Sequence, residues 1–273
     1  MRYGIFIEKN NEFNKIFAPL ANRMNESLKN LGVYSQLEPK FSEFCSQRII
    51  FGSHTNADFW LRHGSENDLI VNLEPVYLEE WRSGNDKYCQ LLKCRKVIDY
   101  TKKNSPFTGE HHLLTLPPVF KSREFNLKTM DVLFVGGLDK KRLTTLQAMC
   151  NSGIQVYHGF RLFGRPLMQK IARAKIFLNI NAENHSTFNS FRFSLTSSMD
   201  TLFMGDACAG DDFLQSYDLI EKCIFYDTES LIRNINQLLS NTDDYNTRLG
   251  EQQDLADVQD IAFQKFMEQL ANK

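Results

Sequence analysis

The run DVLFVGGLDKKR (131–142) ends an apolar segment on Gly136 and Gly137, then places Lys140, Lys141 and Arg142 at the start of a helical pattern. Glycines at such a turn let a ligand approach backbone N–H groups, and basic side chains beside them can neutralise phosphate. Cations at a helix N-terminus oppose the helix dipole, which costs roughly a few tenths of a kcal/mol unless an anion compensates. The other reading of these residues is a tight turn followed by solvated lysines. Arg192 lies about one turn into a helix that starts near Ser186 or Thr187, either of which could cap it. The free N–H groups of that helix and a guanidinium able to bind two oxygens would form a pyrophosphate site; the alternative is a salt bridge to a nearby aspartate. Asn179 and Asn181 end the strand pattern KIFLNIN, where amides either face a ligand crevice or form a turn. Tyr157, His158 and Phe160 flank Gly159 and could pack on a base or sugar, or close the edge of a core.

The first half carries a different chemistry. His54 follows the strand pattern RIIFGS, Glu74 ends NDLIVNLE, and Glu8 ends RYGIFIE. A His or Glu at a strand end facing an interdomain cleft can take the proton of an acceptor hydroxyl, and each is a candidate catalytic base; a polar loop residue is the other reading. His111-His112 has no spaced partner, and no Asp-x-Asp motif holds a metal-bound diphosphate, so no metal is expected in the chemistry. Lys93, Arg95, Lys96, Lys102 and Lys103 form a basic cluster that is either a solvated surface or a weak peripheral contact with anionic headgroups.

These residues need strand ends to hold them, and the chain alternates strand and helix patterns throughout. Strands are expected at 2–8, 33–38, 47–53, 67–74, 96–100, 112–120, 131–137, 154–159, 175–181, 201–206 (TLFMGD, ending in an acid) and 223–227. Helices are expected at 14–32, 55–64, 75–95 with a break at Ser83-Gly84-Asn85, 140–151, 165–174, 188–199, 212–220 and 230–240. From Asp254 to Ala271, Leu255, Val258, Ile261, Ala262, Phe266, Met267 and Leu270 make one buried stripe on a long helix. KSREFNLKTM (121–130) lacks a period and is the candidate linker. The expected fold is therefore α/β, with two Rossmann-like domains of mostly parallel sheet. The first would span 1–125, with 254–273 packing on it, and the second 126–253.

The bulk properties fit this arrangement. The 273 residues suffice for two domains, and a net charge of −1 gives no overall drive toward nucleic acid or anionic membrane. No apolar run approaches the roughly 20 residues that span a bilayer, and the N-terminus reads as a strand, not a signal peptide. Cys45, Cys89, Cys94, Cys150, Cys208 and Cys223 are scattered without a Cys-x-x-Cys pair, as expected of reduced thiols in a cytoplasmic protein.

Taken together, LFVGGLDKKR, AKIFLNIN and FRFSLTSSMDTLFMGD followed by DDF resemble the donor-binding half of GT-B glycosyltransferases, most like the spore-maturation-protein group of bacterial surface-polysaccharide synthesis. LIVNLEPVYLEEW and YCQLLKCRKVIDYTKKN (within 69–104) are similar to a run in the same group, so the resemblance covers about 69–240. It implies a C-terminal half that binds a nucleotide-diphosphate sugar and an N-terminal half that binds a glycan or lipid-linked glycan acceptor. It places Gly136, Gly137, Arg142 and Arg192 toward phosphate and Asn179 and Asn181 toward the sugar. It also implies a last helix that crosses back to the N-terminal domain. Three departures stand out: Asn189 and Ser190 where relatives carry a glutamate before the helix arginine, Asp200 where they carry a glycine, and no Glu-x7-Glu pair around 183–192. Lys141, Tyr157, Gly159, Asn189 and Ser190 complete the expected substrate-binding set. The expected activity is metal-independent, cofactor-free sugar transfer to a hydroxyl. A non-catalytic ligand-binding protein on the same frame, or a nucleotide-sugar epimerase, are the alternatives.

Overall fold

The computed structural model describes residues 1–41, 45–119, 127–181, 190–206, 223–225 and 227–272. The chain divides into two compact units: Met1–Pro117 with Asp260–Lys273, and Pro118–Gln259.

The first unit is built on strands β1 (Arg2–Ile7), β2 (Tyr34–Leu37), β3 (Gln47–Phe51), β4 (Leu69–Asn72), β5 (Lys96–Asp99) and β6 (His111–Leu113). They form one sheet in the order β2-β1-β3-β4-β5-β6, and every pairing is parallel. The central strands are continuous apolar runs because both faces are covered: Ile49, Ile50 and Phe51 are fully buried, and Leu69, Ile70 and Val71 nearly so. Helix α1 (Ala18–Asn30) buries Leu20, Ala21, Met24 and Leu28 at helical spacing, has a proline in its first turn, and stops before Gly32 at φ 76°. A short 3-10 helix, Glu12–Phe17, precedes it, where the sequence predicts an earlier start of one continuous helix. Helices α2 (Ala57–His63), α3 (Glu79–Ser83) and α4 (Asp86–Lys93) follow, with the expected break falling at Gly84-Asn85.

The second unit repeats the plan with β7 (Met130–Val135), β8 (Val156–Gly159), β9 (Ala174–Asn179), β10 (Leu202–Asp206) and β11 (Ile224–Phe225). Their order is β11-β10-β9-β7-β8, again all parallel. Helices α5 (Lys140–Asn151), α6 (Gly164–Arg173), α7 (Ser190–Ser197) and α8 (Thr228–Ser240) belong to it. Its core joins Val132, Phe134, Ile176, Leu178, Leu202 and Met204 from the strands to Met149, Leu231 and Ile235 from the helices. Met130 already belongs to β7, so the aperiodic stretch ends before it; residues 120–126 of that stretch lie outside the described residues. So does the helix expected at 212–220.

Asp200, which stands where the resemblance expects glycine, keeps a left-handed backbone at φ 49°. Aspartate is among the few residues that tolerate this conformation. Its carboxylate accepts from Gln253 Nε2 at 2.6 Å. The substitution sits at the N-terminal end of β10, at the sheet edge away from the strand ends that matter below.

The last helix, α9 (Thr242–Ala271), is 30 residues long, and the segment from Asp260 onward belongs to the first unit. Within that unit it is held by polar contacts. The buried Arg23 guanidinium pairs with Asp260, Ser27 Oγ donates to Gln264 at 2.8 Å, and Tyr3 Oη donates to the Leu270 carbonyl at 2.8 Å. No helix among the described residues is long and apolar enough to cross a membrane. Cys89, Cys94 and Cys150 are free thiols; Cys208 lies outside the described residues.

Candidate functional site

Both sheets reverse direction of strand order beside their first strand. In the first sheet β2 and β3 flank β1, and in the second β8 and β9 flank β7. In an open parallel sheet, the strand C-termini at such a switch point form a ligand crevice. Most of the sequence-predicted residues that the structure describes fall at these two edges.

At the second sheet, Gly136 and Gly137 follow β7, and Asn179 ends β9. Arg142 ties the two loops together: its Nε donates to the Ile180 carbonyl and its Nη1 to the Gly137 carbonyl, each at 3.0 Å. Arg192, in the first turn of α7, donates from Nη1 to Asn179 Oδ1 at 2.9 Å, and Asn179 Nδ2 donates to Asn181 Oδ1 at 3.2 Å. Desolvation, with the like charge of Arg142 as a second cause, pulls the Arg192 guanidinium down to about 10, so it remains a cation at neutral pH. Asp206, at the end of β10, accepts from Asn181 N at 2.9 Å and from Lys141 Nζ at 2.7 Å. Thus Lys141, Arg142, Asn179, Asn181 and Arg192 gather at one strand edge.

The helix-dipole mismatch expected at α5 is partly answered within the chain. Asp139 caps the helix, accepting from Arg142 N at 2.8 Å and lying 3.5 Å from Arg142 Nε, while Asp206 pairs with Lys141. An aspartate immediately before a helical run is the sequence signal for such a cap, and Asp139 carries it. A side chain added at Gly137 would meet only Phe160 Cε2, at 3.9 Å, so the approach there is open. One added at Gly159 would lie 2.5 Å from Leu162 Cδ1, so the leucine would have to shift to admit it. Tyr157 is half-buried in β8, whereas the neighbouring Phe160 is exposed and lies under the Arg161 guanidinium. His158 Nε2 reaches the Gly136 carbonyl at 2.8 Å. Asn189, Ser186 and Thr187 lie outside the described residues, and Ser190 is the first described residue of α7.

At the first sheet, the three candidate bases lie on successive strand ends. Glu8 follows β1 at the switch point; its Oε2 is buried without a hydrogen-bond partner. Asn14 pins this corner, donating to the Glu8 carbonyl and to Thr55 Oγ1, both at 2.9 Å. Gly52 turns the chain at φ 70°, and a side chain there would lie 2.5 Å from Asn14. His54 and Glu74, after β3 and β4, come together: His54 Nδ1 lies 3.8 Å from Glu74 Oε1. That separation permits attraction between charges and is longer than a hydrogen bond. Burial pushes the Glu74 carboxyl up, and His54 and the Trp81 indole N–H pull it back in part.

Sequence reasoning missed the group behind Glu74. Asp99, which ends β5, is buried and accepts from Asn72 Nδ2 at 2.7 Å, from Asn104 Nδ2 at 3.0 Å and from Thr101 N at 3.1 Å. Burial raises its carboxyl to about 6 in spite of those donors. An acid ending the strand KVID carries the same signal that singled out Glu74. The basic cluster is largely occupied: Arg95 donates to the Trp60 and Gly64 carbonyls at 3.3 Å, and Lys96 lies 3.7 Å from Glu110.

No protein-family model matches the sequence, and no curated protein matches it. Solved structures do match the fold. A DNA-modifying β-glucosyltransferase, solved with and without uridine diphosphoglucose, is 12% identical with TM-score 0.62, covering 100% of this chain and 99% of its own. The T4 phage enzyme BGT with its UDP-glucose substrate is 11% identical with TM-score 0.63 over the same shares. An α-glucosyltransferase bound to UDP-glucose and to DNA with an abasic site is 9% identical with TM-score 0.63, covering 100% of both chains. The chain therefore has the GT-B fold: two Rossmann-like units of parallel sheet, with the last helix shared between them.

Proposed function

We propose that this chain is a glycosyltransferase that moves a sugar from a nucleotide-diphosphate sugar to an acceptor hydroxyl. The observation that carries this reading is the Arg192 guanidinium, desolvated and held by Asn179 at the second sheet's switch point beside Arg142 and Asn181. Arginines at the C-terminal edge of an open parallel sheet suit a phosphorylated ligand, and a diphosphate offers two phosphoryl groups to a guanidinium. In the reaction, the bond from the anomeric carbon to the diphosphate oxygen breaks, and its electron pair leaves with the diphosphate. Arg192 would offset the charge that develops there. The acceptor oxygen bonds to the anomeric carbon, and its proton passes to His54, with Glu74 stabilising the resulting imidazolium. Glu8 is the alternative base. Such direct displacement inverts the anomeric centre.

The comparisons bear on the choice of acceptor without fixing it. Relatives described as DNA-modifying, or solved with DNA, match this chain from end to end, whereas an α1,3-fucosyltransferase matches 91% of it at TM-score 0.52. These matches favour DNA over the surface or lipid-linked glycan that the sequence resemblance implies, despite the net charge of −1. Every internal deoxyribose oxygen of DNA is esterified or in the ring, so the acceptor hydroxyl would be carried by a base. The reading includes action in the cytoplasm, no resident cofactor, and phosphate charge offset by arginines without a metal. One relative was solved with UDP and Mn2+, so the assay needs arms with EDTA and with Mn2+.

The test incubates the protein with labelled UDP-, GDP- and CDP-sugars and either duplex DNA containing hydroxymethylated bases or a lipid-linked glycan. Label on DNA supports the reading, and label on the glycan returns the acceptor to surface polysaccharide. Release of free nucleotide without acceptor points to an epimerase-type enzyme. Donor binding with no turnover in any arm leaves a ligand-binding protein.

A further inference from the structure

Asn72, Asp99, Asn104 and Tyr88 form one buried polar network beneath the His54–Glu74 pair, and no residue of it was expected to act. All four are 2% exposed or less. Around Glu74 the network closes on the backbone from both sides. Glu74 N donates to Asn72 Oδ1 at 3.1 Å, and the Glu74 carbonyl accepts from Asn72 Nδ2 at 3.1 Å and from Asn104 Nδ2 at 3.0 Å. Asp99 holds both amides in the orientation this needs, because an acceptor-only carboxylate fixes which end of each asparagine carries the N–H groups. Asn104 is fixed at its other end by Tyr77 N, which donates to Oδ1 at 3.0 Å.

The same network reaches His54. Tyr88 Oη donates to Asn72 Oδ1 at 2.9 Å, and the Tyr88 ring meets the His54 ring edge to face, with centroids 5.9 Å apart. One set of buried bonds therefore holds the backbone of one member of the pair, and the tyrosine it anchors packs against the ring of the other. A lone Glu on a loop needs none of this. Buried polar groups that satisfy each other specify one geometry, and geometry within a fraction of an ångström decides proton transfer.

We propose that Asn72, Asp99 and Asn104, with Tyr88, are positioning residues that set the His54–Glu74 pair for removal of the acceptor proton. The inference rests on the transferase reading for its purpose but not for its test. The titratable groups around Glu74 are His54, Tyr88 and Asp99, and Trp81 donates to its carboxylate.

Asn104→Ala is the discriminating variant because it leaves every charge in place. Tyr88→Phe is a milder second one that keeps the ring. Carbon-13 NMR titration of the Glu74 carboxyl needs no substrate. In Asn104→Ala the Glu74 titration is expected to fall toward the ordinary glutamate value, with a smaller fall in Tyr88→Phe. In the transfer assay kcat is expected to drop by roughly tenfold or more, with the donor KM unchanged and the acid limb of the pH profile displaced. If Asn104→Ala does not fold, Tyr88→Phe alone decides. A Glu74 titration and pH profile that superimpose on wild type in the folded variants overturn the proposal. A shifted Glu74 titration in a protein that transfers no sugar leaves the network standing and removes the transferase reading instead.

Discussion

Arg192 and Asp99 mark the two kinds of residue that decide this molecule. Arg192 stands out in the sequence as an arginine embedded in an apolar helix start, where a phosphate contact and a structural salt bridge are the two readings. Its immediate partner, Asn179, was legible as a polar end to a buried strand. Replacing Arg192 with alanine is expected to weaken the preferred nucleotide diphosphate by roughly 10- to 100-fold, the worth of one or two charge-assisted hydrogen bonds. Titration calorimetry checks this, and unchanged affinity would remove Arg192 from the donor site. Asp99 carries the same strand-end signal as Glu74, but its role lies in contacts with Asn72 and Asn104 on other segments, which no local pattern shows. Its carboxyl titrates near 6 in the folded protein, above the 3.8 of a free aspartate. Between those values the folded state keeps a proton that the unfolded chain has released. Its contribution to stability is therefore greatest below the lower value and falls as pH rises toward 6. Urea unfolding of wild type and Asp99→Asn at pH 4.5 and 7 should show wild type losing stability relative to the variant as pH rises. A difference that stays constant would mean Asp99 titrates normally.

At the scale of elements, strands were the easier reading. Runs such as VLFV, IFLN and LIVN are buried on both faces and stand out from their polar flanks. Helix starts were harder, since capping and 3-10 turns depend on single side chains: Asn11 caps the Glu12–Phe17 turn, and Asp139 caps α5. The stripe on 254–271 marked a helix, but Val258 and Ile261 are exposed, and Ala256, Gln259 and Phe263 are buried with Leu255, Met267 and Leu270. It did not show the helix's true length, because residues from Thr242 continue it with a more polar surface. Nor did the stripe announce that its grip on the first unit is partly ionic. Arg23 is buried and pairs with Asp260 across α1 and α9, with the Phe263 ring 5.7 Å from its guanidinium carbon. Asp260→Ala leaves that guanidinium buried and uncompensated. We expect a loss of about 3 kcal/mol of stability, read by urea unfolding. A loss within experimental error would show that the stacking on Phe263 suffices.

For the whole molecule, the repeated strand–helix alternation is enough to give two parallel sheets, and their order then places Glu8 and His54 at one switch point and Gly137 and Asn179 at the other. Composition does not select an acceptor, because net charge averages over the chain, whereas recognition depends on local surfaces. The central claim is that the second unit binds a nucleotide-diphosphate sugar. A thermal-shift series with UDP, GDP and CDP and their sugars tests it most directly, because a ligand that binds only the folded state stabilises it by mass action, about 2.7 kcal/mol at a hundredfold excess over Kd. One nucleotide series is expected to raise Tm by roughly 5 °C or more, and Arg192→Ala to cut that rise to about half or less. An unchanged Tm with every nucleotide at millimolar concentration would contradict it.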